Sequence, residues 1–193
     1  MELVLATHNA HKVAEVGAIL ANSVPGLNLL GYEGPEPVED GVSFLENALI
    51  KARAAFEFTG RPAIADDSGL AVEILGGAPG IFSARWSGTR DNQVNRQLLL
   101  AQLADVKPEH RAAAFVCTIA YVDRENEVSF TGIWPGSIAT QEHGEHGFGY
   151  DPIFIPEGFE VTAAQLDPEV KNLLSHRSLA LEQLASYLGS IEN

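Results

Sequence analysis

Short apolar runs alternate with helix-spaced apolar positions along most of the chain, and their order predicts an α/β protein. Residues 2 to 6, apolar after Glu2, form a run of strand length, and Val13, Val16 and Leu20 then recur at helical spacing. From 24 to 42 the chain carries Pro25, Gly26, Gly31, Gly34, Pro35, Pro37 and Gly41, so it turns repeatedly, with room for one short strand at 27 to 30. Ser43 reads as a helix N-cap, and Ala48 to Phe58 is rich in helix formers without Gly or Pro, which predicts a helix over 43 to 58. Thr59-Gly60-Arg61-Pro62 stops it, and a strand returns from Arg61 to Asp66.

Beyond that strand, Asp66 to Gly69 reads as a turn, Leu70 to Leu75 as another strand, and Gly76 to Gly80 as a tight loop. A helix follows at 91 to 104, and residues 112 to 122 and 127 to 139 read as a long antiparallel pair turning at Asp123 to Asn126. Gln141 to Asp151 is a Gly-rich loop. Lys171 and Ser175-His176-Arg177 open a last helix with Ser175 as its N-cap, and Leu181, Leu184, Ala185 and Leu188 form its core stripe. No repeat, low-complexity tract or linker interrupts residues 1 to 193, which predicts one domain or two tightly joined lobes.

A 46% hydrophobic share with 20% charged residues fits an ordinary globular protein. The net charge of −14, from 12 Lys+Arg against 26 Asp+Glu, argues against a nucleic-acid partner, which needs a basic footprint. The single cysteine, Cys117, excludes a disulfide framework and a multi-Cys zinc site. No basic stretch precedes the apolar residues at the N-terminus, and Ala112 to Val122 is far short of the roughly 20 residues a membrane helix needs, so no membrane association and a cytoplasmic setting are expected.

Two acidic clusters change this picture. Twelve residues from Glu46 to Phe58 climb about 18 Å at about 1.5 Å each, and an extended return from Arg61 to Asp66 covers about 16 Å. The return strand therefore brings Asp66 and Asp67 back to the helix start where Glu46 sits. Glu46 stands three residues after Ser43, the spacing of a capping box, and Asp66-Asp67-Ser68-Gly69 suits an Asx turn, so each segment also has a local structural reading. Together, three carboxylates in one region repel unless a cation neutralises them, and Mg²⁺, which takes oxygen ligands and substrate phosphates, suits such a set.

Thr7-His8-Asn9-Ala10-His11-Lys12 lies between the first strand and first helix, where free N–H groups and the helix dipole favour phosphate, although Thr7 or Asn9 could equally cap the helix. Gly147-Phe148-Gly149-Tyr150-Asp151 offers an aromatic ring and a carboxylate on a loop open to a planar ligand, or an ordinary turn with Phe148 in the core. His143 and His146 read as solvated loop residues.

In order, Thr7 to Lys12, Ser43-Phe-Leu-Glu-Asn-Ala-Leu-Ile-Lys51, Ala65-Asp-Asp-Ser-Gly-Leu70, Gly76 to Gly88, Gly147 to Pro152, and Lys171 with Ser175-His176-Arg177 resemble the inosine triphosphate pyrophosphatase family, enzymes that clear non-standard purine triphosphates. The Pro-rich stretch 34 to 37 and Trp134-Pro135 differ but lie outside these motifs. The resemblance implies an elongated two-lobed α/β fold, a mixed twisted sheet flanked by helices, with the substrate in a cleft between lobes. It also implies Mg²⁺-dependent hydrolysis of ITP, dITP or XTP between the α and β phosphates, and a homodimer. By position, Asp67 is then the general base and a metal ligand, Glu46 shares the metal, and Asp66 supports them. Thr7, His8, Asn9, Ala10, His11, Lys12 and Ser68 would hold the triphosphate. Phe148 would stack on the base within Phe148-Gly149-Tyr150-Asp151, with Lys171, His176 and Arg177 along its edge.

Two rival readings are a pyrophosphatase of the related septum-formation type, distinguished by its taste for modified pyrimidine or standard triphosphates, and a nucleotide sensor that binds without turnover. The acidic set argues against the sensor, because carboxylates beside phosphates serve no binder that lacks a cation.

Overall fold

The computed structural model describes residues 1–8 and 10–191, and at 10, 11, 14, 15 and 22 the backbone alone. Six strands form one sheet in the order β2-β1-β3-β4-β5-β6. These are β1 (Glu2–Leu5), β2 (Asn28–Gly31), β3 (Ala63–Val72), β4 (Ala112–Val122), β5 (Glu127–Ile138) and β6 (Phe154–Pro156). The helices are α1 (Ala10–Ser23), α2 (Phe44–Thr59), α3 (Asn92–Gln102), α4 (Pro168–Leu174) and α5 (His176–Ile191). The sheet is mixed: β1 runs parallel to β2 and β3, while β5 and β6 are antiparallel. The mixed α/β sheet flanked by helices expected from the sequence is thus the one observed.

The chain divides into two compact units, the first of residues 1–67, 117–132 and 177–193, the second of 68–116 and 133–176. In the first unit, successive strand residues face opposite sides, as the period of two requires. Leu3 and Leu5, Ile64, and Cys117, Ile119 and Tyr121 face one side, where Val16, Leu20, Leu181, Leu184 and Leu188 of α1 and α5 cover them. The intervening Val4, Ala63, Ala65, Ala120 and Val122 face the other side, beneath α2. Helix α2 meets them with Ala48, Ala52 and Ala55, each fully buried. Their spacing of four and three places all three on one face of the helix, and their small side chains allow its backbone to lie close to the sheet.

Ser43 caps α2, its Oγ accepting the Glu46 N–H at 3.2 Å, and Gly60 ends it in the left-handed region at φ 66°. The second unit centres on Leu70, Leu99, Leu103, Trp134, Ile153 and Phe154. Phe115 lies edge-on to Phe154 with ring centroids 4.6 Å apart.

Two elements differ from the sequence reading. Asp66 to Gly69 is not a turn: β3 runs unbroken from Ala63 to Val72, because Ile64, Ala65, Leu70 and Val72 are all buried and an extended chain buries both ends of that run at once. Lys171 does not belong to the last helix either. It sits on the separate α4, which starts at Pro168 behind the N-cap Asp167 and ends at Ser175, whose extended backbone (ψ 152°) interrupts the helical path. No helix among the described residues is long and apolar enough to cross a membrane.

Candidate active site

Because β3 is extended through both aspartates, Asp66 and Asp67 point to opposite faces of the sheet. Asp66 shares the face of Ile64 and so meets α1 and α5. There its Oδ1 pairs with Lys12 Nζ, and its Oδ2 lies 3.6 Å from Arg177 Nη2. Asp66 is 8% exposed at the side chain, and burial pushes its carboxyl pKa upward. The nearby Lys12 and Arg177 cations outweigh that burial and hold it well below the usual carboxylate range. Lys12 and Arg177 both stand in the first turn of a helix, where the dipole already favours negative charge. One buried carboxylate thus faces two cations and the positive ends of two helices, a surplus of positive potential suited to phosphate.

Asp67 faces the other way, toward α2. Its Oδ2 accepts a hydrogen bond of 3.0 Å from Asn47 Nδ2, and its Oδ1 lies 3.9 Å from Lys51 Nζ. Lys51 in turn sits 3.3 Å from Glu39 Oε2. The fold-back expected from the lengths of helix and strand therefore occurs, since Asp67 reaches the first turns of α2. Glu46 is exposed, and its Oε2 accepts the Val42 N–H at 2.8 Å, one residue before the Ser43 N–H that a capping box would use.

The neutralising charges differ from those the sequence suggested. Lys12, Arg177 and Lys51 offset the aspartates, and among the described residues no three His, Cys, Asp or Glu side chains gather as a metal cluster. Opposed carboxylates alone therefore do not require a divalent cation here.

Thr7 is half-buried, its N–H donating to Leu5 O at 2.7 Å. His8 stacks on Tyr32 and places its ring nitrogens 2.9 Å from Gly34 O and 3.2 Å from Glu36. Thr7, His8, Val13, Gly31, Tyr32 and Glu33 border a groove of about 630 Å³. Asn9 and the side chains of Ala10 and His11 lie outside the described residues. Ser68 is half-buried on β3.

In the second unit, Phe148 is 64% exposed, contrary to a core role, and Lys171 Nζ lies 5.3 Å from its ring centroid. Asp151 is buried, and its Oδ2 accepts both the Phe148 N–H at 2.7 Å and Lys171 Nζ at 2.5 Å. Gly147, at φ 77°, must be glycine, because a Cβ there would strike the Asp151 carboxylate and approach the Lys171 ammonium. Arg96 donates to Gly149 O at 2.8 Å, and the buried Tyr150 donates its hydroxyl to Ser83 O at 2.8 Å, so Tyr150 supports the loop from within. His176 stacks on Phe115 at 4.9 Å. His143 and His146 are exposed.

The sequence reading missed Glu39, Asn47 and Lys51. Asn47 and Lys51 stand one helical turn apart within the segment 43 to 51, so their shared face was legible from spacing. Glu39 stands in an irregular loop whose path no local pattern specifies.

Residues 3–187 match the Ham1 family. A protein of Leifsonia xyli named dITP/XTP pyrophosphatase is 55% identical over 193 residues, covering 99% of this chain and 97% of its own. One from Mycobacterium tuberculosis with the same name is 49% identical, covering 98% and 96%. Among solved structures, a HAM1 protein from Coxiella burnetii superposes with a TM-score of 0.92 at 40% identity, covering 98% of this chain and 99% of its own. The chain belongs to the Ham1 family.

Proposed function

We propose that this protein hydrolyses dITP, ITP and XTP between the α and β phosphates, releasing the nucleoside monophosphate and pyrophosphate and so clearing the nucleotide pool. The observation that carries this reading is the 55% identity, along nearly the whole chain, to a relative named dITP/XTP pyrophosphatase. Two features support it: Asp67, a carboxylate able to act as a base, stands against α2, and Lys12 stands beside Asp66 on the opposite face of the same strand.

In this reading Lys12, with Thr7, His8 and Ser68, holds the triphosphate, and Asn9, Ala10 and His11 complete the loop. Asp67 is the general base: it takes a proton from the water attacking the α phosphorus as the new P–O bond forms, and the bridging anhydride oxygen leaves with pyrophosphate. The carboxylates of Asp67 and Glu39, which share the Lys51 ammonium, are oxygen ligands of the kind Mg²⁺ takes. Asp67 would hold it, joined by Glu46, the candidate from the sequence, or by Glu39, which already shares the Lys51 ammonium with Asp67. When bound, the ion neutralises charge on the phosphate oxygens.

At the other end of the substrate, Phe148 stacks on the base, with Gly149, Tyr150, Asp151 and Lys171 shaping its surround. His176 or Arg177 donates to the 6-keto oxygen of hypoxanthine or xanthine. An adenine 6-amino group would leave that donor unpaired, at a cost of about 1–3 kcal/mol. Rejection of guanine would follow from a lack of room or partner for its 2-amino group.

The chain works as one domain of two lobes, in the cytoplasm, as a homodimer whose contact would use the exposed Ile74 and Phe82. Its partner is a small nucleotide. A panel of dITP, ITP, XTP, dATP, dGTP and modified UTP, with products separated by ion-exchange chromatography, tests the reading. Turnover confined to the first three, giving monophosphate and pyrophosphate, supports it; preference for modified UTP overturns it.

A further inference from the structure

Asn47 is 2% exposed at the start of α2, a position where a helix gains nothing from a buried amide. The other buried positions on this helix, Ala48, Ala52 and Ala55, are all alanine. An amide is retained here with both ends used. Its Oδ1 accepts the Gly41 N–H at 3.0 Å, and its Nδ2 donates to Asp67 Oδ2 at 3.0 Å.

The two bonds fix the amide's orientation. A backbone N–H can only donate, so it must face the amide oxygen, and this turns the NH₂ group toward the carboxylate. Gly41 is what lets the loop come close enough: a Cβ there would lie 2.7 Å from Asn47 Oδ1 and 2.7 Å from Glu46 Cβ. The next residue, Val42, donates its N–H to Glu46 Oε2. The loop before α2 therefore clamps the first turns of the helix, and the clamp ends on Asp67.

We propose that Asn47 is a positioning residue for hydrolysis: its amide, oriented by Gly41, holds Oδ2 of Asp67 and assigns Oδ1 to the proton of the attacking water. This rests on the reading of Asp67 as the base. Asn47 touches no reacting atom. Its effect lies in keeping the carboxylate from rotating, and a base displaced by about 1 Å costs on the order of 100-fold in rate.

The test uses Asn47→Ala, Gly41→Ala, Asp67→Ala and Asp67→Asn in the full chain. Asn47→Ala lowers kcat on ITP by at least about 10-fold and leaves KM within about twofold. Gly41→Ala, which keeps both side chains and moves only the backbone that orients them, gives the same split if Asn47→Ala fails to fold. Thermal melting without metal supplies a second readout: once Asp67→Ala is present, Asn47→Ala costs less stability than it does in the wild type, the remainder being its bond to the Gly41 N–H, as expected for two residues coupled through a shared contact. Folded Asn47→Ala or Gly41→Ala protein with unchanged kcat, or additive losses in melting, overturns the inference. Full turnover by Asp67→Asn would instead remove the base assignment beneath it, a separate and recognisable result.

Discussion

Lys12 and Asp66 form an ion pair in which the carboxylate is almost wholly withdrawn from solvent, with Arg177 on its far side. An unfolded chain would return Asp66 to an ordinary pKa of about 3.9. In the folded protein burial acts upward on it, but Lys12 and Arg177 bring it below that value. The ionised group therefore contributes stability that is fully present above the ordinary value and is lost as pH falls through the lower, folded one. Asp66→Asn is expected to cost about 3 kcal/mol at pH 7, since it leaves two cations facing a neutral amide. Denaturant unfolding at pH 7 and pH 3 checks this, with the gap between wild type and variant narrowing at the acid end.

Burial, and then the neighbouring Asp66 charge, push the Cys117 thiol up to about 12. The thiolate is the reactive form, so Cys117 is inert at pH 8 in the native protein. Alkylation followed by mass spectrometry should find it unmodified after an hour and fully modified in denaturant.

Phe148 exposes its ring while its own N–H is fixed by Asp151. Stacking of a base on an aromatic side chain is worth about 1–3 kcal/mol. Phe148→Ala is expected to raise KM for ITP by about 5- to 150-fold without lowering the melting temperature, because an exposed ring contributes little to the core. Steady-state kinetics with a parallel melting curve check both parts.

Gly147→Ala places a methyl group against Asp151 and forces a backbone angle that alanine resists. Its expected effect is a higher KM for every purine triphosphate alike, since the whole loop moves. A substrate-selective change, read from the same panel, would contradict that.

Much of the fold was legible because it follows from short-range chemistry. Ser43 and Gly60 bound α2 as capping rules require, and the stripe from Leu181 to Leu188 is buried as its spacing demands. The Ser175 cap was legible, but the separate helix α4 that carries Lys171 and the continuity of β3 through Asp66-Asp67-Ser68-Gly69 were not. Asp and Gly favour turns locally, and only the burial of Ile64 and Leu70 on either side overrides them. The fold-back of Asp67 onto α2 was legible from element lengths alone. Which cations would meet the aspartates was not, because the alternation that sends Asp66 to Lys12 and Asp67 to Lys51 depends on the strand continuing straight.

The most direct test of the role given to Asp67 is the product spectrum from ITP and Mg²⁺ for wild type and Asp67→Asn side by side. Inosine monophosphate with pyrophosphate from the wild type is predicted, with a loss of at least about 100-fold in the variant at an unchanged melting temperature. Near-normal turnover by folded Asp67→Asn, or inosine diphosphate with orthophosphate from the wild type, would contradict it.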